Sequence, residues 1–66
     1  MGKFSLTEMK RELDANAGDD ETMHGIVDFY REKFIKDVAS GKYKSITRAI
    51  MIANRMESLI NKYTIN

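Results

Sequence analysis

The sequence predicts an all-α, three-helix domain, a long antiparallel helical hairpin with a shorter N-terminal helix, covering residues 1–66 as one unit. Three observations predict it. Apolar residues recur every three or four positions in three separate stretches, as the buried stripe of a helix requires. No proline interrupts any of them, and glycines at positions 18 and 41 separate one from the next. Helices are therefore expected at about 6–17, 20–40 and 46–63.

The first helix opens with two start signals. Ser5 and Glu8 have the spacing of a capping box, and Phe4 and Met9 that of a hydrophobic staple. Behind them Leu6, Met9, Leu13 and Ala17 form a narrow stripe that ends at Gly18. A helix this short with one thin apolar edge is marginal alone and must dock on something.

Asp19, Asp20 and Glu21 place three negative charges where the second helix begins; either aspartate can cap it and the helix dipole favours all three. Met23, Ile26, Val27, Tyr30, Phe34 and Val38 cover an arc of roughly 120°, an ordinary core face. Phe29 and Ile35 lie about 60° outside that arc on opposite sides. The third helix follows a short connection, Gly41 to Lys44, with Ser45 as its cap, and connections of this length join antiparallel neighbours. Its stripe of Ile46, Ala49, Ile50, Ile52, Ala53, Met56, Leu59, Ile60 and Tyr63 is about 180° wide, more than one partner helix covers. Met51 falls outside it, among Thr47, Arg55 and Lys62.

Two acids fall where the helical wheel calls for apolar residues. Asp37 projects between Ile26 and Tyr30, and Glu57 lies at the edge of the third stripe near Ile46 and Ile50. Each needs a partner if buried, because desolvating an unpaired carboxylate is costly. Two placements satisfy them: the rim near helix ends, reaching water or a lysine, or a polar contact that fixes register in an oligomer.

Composition bounds the function. The absence of cysteine removes disulfides, thiolate zinc sites and cysteine nucleophiles. A chain of this length without such staples gains stability by self-association, so a homo-oligomer, in the simplest case a homodimer formed through the second and third helices, is expected. No apolar run approaches the ~18 residues of a membrane span, and the start lacks a signal-peptide core, so the expectation is a cytoplasmic protein with no membrane partner. Gly2 does not open a myristoylation motif, since Leu6 stands where Ser or Thr is needed.

No cofactor, metal or catalytic constellation is expected. His24 is the sole histidine; with Asp20 and Asp28 it shares a helix face, which reads as solvated i,i+4 pairing rather than a metal site. Glu8, Glu12 and Asp14 read as the charged outer face of a short helix. Phosphate-binding loops, nucleophile elbows and zinc-protease motifs are missing. The chain is expected not to be an enzyme.

Two functional readings follow. Net charge is uneven: residues 1–30 hold three bases against seven acids, a balance of −4, and residues 31–66 hold eight bases against three acids, a balance of +5. Phe29, Ile35 and Met51 are large apolar residues outside the core arcs, which suits a protein contact. The first reading is thus a small non-enzymatic regulator or adaptor that occludes a protein surface, of the kind a phage or mobile element carries as an inhibitor. The alternative is a nucleic-acid-binding helical dimer using the basic turn of Lys33, Lys36, Lys42, Tyr43, Lys44 and Arg48, where an aromatic among cations can grip phosphate and stack on a base. Neither a helix-turn-helix nor a ribbon-helix-helix pattern supports the alternative, because Thr47 and Asp37 occupy positions the first motif keeps apolar or small and no strand pattern precedes the first helix.

Overall fold

The computed structural model describes residues 3–64. They form three α-helices, α1 (Leu6–Ala15), α2 (Asp20–Ala39) and α3 (Ile46–Thr64), with no strand among the described residues. Each helix starts where a short polar side chain can take a free backbone N–H. The Glu8 amide donates to Ser5 Oγ at 3.2 Å, the Thr22 amide to Asp19 Oδ1 at 3.2 Å, and the Arg48 amide to Ser45 Oγ at 3.2 Å. Asp19 is therefore the cap of α2, leaving Asp20 and Glu21 in the first turn against the helix dipole. The Thr22 hydrogen bonds also hold the Asp19 carboxyl below its ordinary range.

α1 closes two residues earlier than its apolar pattern predicts. The Asn16 side-chain amide donates to the Glu12 carbonyl at 2.8 Å and its backbone N–H turns back on Glu12 and Leu13, satisfying carbonyls that a longer helix would have used. Ala17 is consequently exposed rather than part of the stripe. Gly18 and Gly41 have φ of +93° and +78°, left-handed conformations that glycine adopts without a Cβ clash, and both stand just after a helix end.

One core joins all three helices. Met9 and Leu13 of α1 are fully buried, and around them pack Met23, Val27, Tyr30 and Phe34 of α2 and Ala49, Met56, Leu59 and Ile60 of α3. The closest backbone approaches are those of α1 to α2 and of α1 to α3, so the shortest helix is the shared neighbour of the two long ones. Side chains reinforce both contacts: the Tyr30 hydroxyl donates to the Glu12 carboxylate, and the Tyr63 hydroxyl to that of Asp14.

The residues before α1 complete the core at the other end of the molecule. Phe4 is buried edge-on to Tyr30 and Phe34, with ring centroids 6.1 and 5.3 Å away. Its backbone N–H donates to the carboxylate of Asp37, and Lys42 Nζ stands 3.8 Å from the same group. Asp37 is only 4% exposed, so it is not a rim residue reaching water; its main partner is a backbone amide inside the same chain, which neither expected placement named, with a lysine beside it. Glu57 lies at the surface and pairs with an arginine, not a lysine: Arg31 donates from Nε and Nη2 to its two oxygens at 3.1 and 2.8 Å.

Besides Ala17, three larger residues expected in the core are exposed: Val38 (42%), Ile50 (54%) and Ile46 (77%). The physical reason is the size of α1. Ten residues with one narrow apolar edge cover the centres of the α2 and α3 stripes but cannot reach their outer flanks.

Candidate functional site

The ion pair of Arg31 with Glu57 shows which flanks of α2 and α3 face each other. Four and seven residues after Arg31, on the same flank by helical spacing, stand Ile35 and Val38; seven and eleven residues before Glu57 stand Ile50 and Ile46. All four are exposed, Ile35 at 64%. Helical spacing thus places these β-branched residues on the flanks of α2 and α3 that face each other, between the ion pair and the α2–α3 turn, an apolar strip divided between the two helices. The strip lies about 60–120° around each helix from its buried face, outside the arcs α1 covers. The hydrogen bonds from Arg31 hold the Glu57 carboxyl below its usual range, so the pair is charged at neutral pH and marks one end of the strip.

A second surface opens on the opposite flank of α3. Between α1 and α3 runs an open groove of about 410 Å³ with Leu6 and Leu59 in its floor. Its rim carries three cations, Lys10 from α1 and Arg55 and Lys62 from α3, with Thr7, Asn54 and Ser58 between them. No carboxylate lines it among the described residues. The acid nearest in register is Asp14, which sits one turn beyond Lys10, accepts from its ammonium at 2.8 Å and is shared with Tyr63.

The sequence-selected residues distribute over these surfaces unequally. Phe29, Ile35 and Met51 are all exposed, but the fold does not bring them together. Ile35 belongs to the strip. Phe29 leaves α2 about 120° away, with its ring perpendicular to that of Tyr30 and the centroids 5.1 Å apart. Met51 precedes Arg55 and Ser58 by four and seven residues and so continues the groove flank of α3 toward its N-terminus. The sequence pattern does not separate Val38, Ile46 and Ile50 from the core, although for Ile46 and Ile50 the excess over what one helix can cover is visible in the width of the third stripe.

The basic turn is partly committed to the fold. Lys42 faces Asp37, and Lys36 pairs with Glu32 at 3.2 Å. Lys33 is half-buried, while Lys44 and Arg48 are exposed. Tyr43 is half-buried, with Phe34 5.5 Å from it and the Lys3 ammonium over its ring at 4.5 Å. Burial, and then the proximity of Asp37, push its hydroxyl above the ordinary tyrosine range. A nucleic-acid base would have to displace Lys3 to stack there.

Among the described residues no three His, Asp or Glu side chains come together as a metal site, and no helix is long and apolar enough to cross a membrane. His24 with Asp20, Met23, Tyr63 and Thr64 lines a small cleft of about 140 Å³. Set against protein-family models, curated proteins and solved structures, the chain matches none.

Proposed function

We propose that this chain is a small non-enzymatic cytoplasmic regulator that works by covering a protein surface, and that it does so as a homodimer. In this reading α2 and α3 form an antiparallel hairpin whose strip of Ile35, Val38, Ile46 and Ile50 is buried against the same strip of a second copy. The exposure of four β-branched residues on the facing flanks of α2 and α3 is the observation that carries it. Single exposed hydrophobes need no explanation, whereas a continuous strip of them costs solubility unless covered. A self-complementary apolar strip is also what a two-fold interface requires, since each copy offers the other the same surface.

Two global quantities support the reading. The chain exposes 4836 Å², against roughly 4,300 Å² for a monomer of its mass. Its radius of gyration is 12.0 Å, against about 11 Å for a compact domain of its length. Both describe a molecule more extended than a compact one of its size. The inhibitor role, and the nucleic-acid-binding dimer as its alternative, separate by residue: the second needs Lys44 and Arg48, the first does not.

Sedimentation equilibrium of the wild type and of the I35S/I50S double variant tests the proposal. The expected result is a dimer for the wild type and a folded monomer for the variant. A wild type that stays monomeric at high concentration would remove the dimer from the reading. Titration with duplex and single-stranded DNA and RNA across salt concentrations tests the alternative, for which steeply salt-dependent binding lost in K44A/R48A is the required outcome.

A further inference from the structure

The groove between α1 and α3 is built differently from the strip. Its floor is apolar, through Leu6 and Leu59, and its rim is cationic on both sides, through Lys10 on one helix and Arg55 and Lys62 on the other. An apolar floor alone accepts any greasy surface, but Arg55 and Lys62, with no carboxylate among the lining residues, select by charge, while Lys10 on the facing helix shares its ammonium with Asp14. The groove is also open along two helices rather than enclosed, which disfavours a small molecule, since pockets for those bury most of the ligand. Two helices side by side instead make the seat that an amphipathic helix fills, with anchors at helical spacing entering the floor.

We infer that the α1–α3 groove is the partner-binding site, and that its occupant is an amphipathic helix of another protein carrying leucine-like anchors flanked by carboxylates. The anchors pack on Leu6 and Leu59. Carboxylates on one edge of the bound helix meet Arg55 and Lys62, and one on the other edge shares Lys10 with Asp14. Met51, on the same flank of α3 a turn beyond Arg55, supplies an adaptable apolar end to the seat. The inference deepens the reading of the chain as a protein-binding regulator and rests on it, but not on the dimer, because the groove and the strip occupy opposite flanks of α3.

The test uses the full chain, isotopically labelled for amide chemical-shift mapping, and two synthetic amphipathic peptides of about 18 residues, five helical turns. One carries leucines on one face with glutamates beside them; its twin has lysine for every glutamate. The glutamate peptide is expected to shift the amides of Leu6, Lys10, Arg55 and Leu59 and to bind about tenfold or more tightly than the twin. R55E/K62E, both at exposed positions, is expected to keep the wild-type thermal melt and to reverse that preference. Equal binding of the two peptides, shifts confined to Ile35 and Ile50, or no shift at millimolar peptide would each overturn the inference. So would binding to phosphatidylglycerol vesicles with no response to the peptide, which would assign the cationic rim to a lipid surface. Sedimentation on the same samples separates the claims. A monomer that binds the glutamate peptide through the groove supports this inference and overturns the dimer; a dimer that ignores it overturns this inference alone.

Discussion

Asp37 is the residue on which the packing of the N-terminal segment depends. Its carboxylate is buried, takes the Phe4 N–H and stands near the half-exposed Lys42 ammonium. Removing it leaves a buried amide without an acceptor, which costs more than the loss of an ordinary hydrogen bond. D37A is expected to lose about 2 kcal/mol of stability in urea titration, and D37N less because its carbonyl can still accept. K42A, which removes only the weaker and partly solvated partner, is expected to change stability by about 0.5 kcal/mol or less. If D37A and K42A cost the same, the amide contact is not the important one. Tyr30 gives the molecule an alkaline limit. Burial, reinforced by its hydrogen bond to Glu12, pushes its hydroxyl from 10.0 up to about 12. The neutral form is the one the fold favours, so its contribution is complete below the unfolded value and disappears as pH rises through the folded one. Unfolding measured at about pH 11 should therefore cost the wild type more stability, relative to neutral pH, than it costs Y30F.

Among the helices, α1 has the least surface and the most connections. Its two fully buried residues fill the centre of the core, and its carboxylates receive hydroxyls from both long helices. L13A is expected to cost about 3 kcal/mol through the cavity it opens. A chain of this length commands only about 3–10 kcal/mol in total, so circular dichroism should show substantial loss of helix at moderate temperature. Retention of the wild-type melt would mean that α2 and α3 hold together without α1. Helix starts were legible in the sequence because they are local: Ser5, Asp19 and Ser45 each cap with an amide three residues away. Helix faces were legible at their centres, in Met23, Phe34, Met56 and Ile60, and misleading at their edges. Val38, Ile46 and Ile50 have the right character for a core, and only the length of the helix opposite them decides otherwise. The partners of Asp37 and Glu57 lie 33 and 26 residues away, beyond the reach of any periodicity. For the same reason the groove was invisible: Lys10 and Arg55 belong to one rim only because α1 lies against α3.

At the scale of the whole molecule, the surplus of exposed surface and the enlarged radius have one expected consequence in solution. If the strip is buried between two copies, folding and association are linked by mass action. The melting temperature of the wild type should then rise with protein concentration, and that of I35S/I50S should not; a wild-type melt independent of concentration would count against the dimer. The grooves of such a dimer stay free, because they face away from the strip, so that dimerisation doubles the number of seats without altering either.

The segment before α1 carries a consequence of another kind. Lys3 and Phe4 are held near the α2–α3 turn by Tyr43 and Asp37, while Tyr63 and Thr64 lie beside Asp20, Met23 and His24. The described chain thus enters at one pole and leaves at the other of a body 35 Å long. Lys3 and Thr64 lie toward opposite ends of the long helices. A tag fused at one end is therefore expected to leave the other end clear, whichever end carries it.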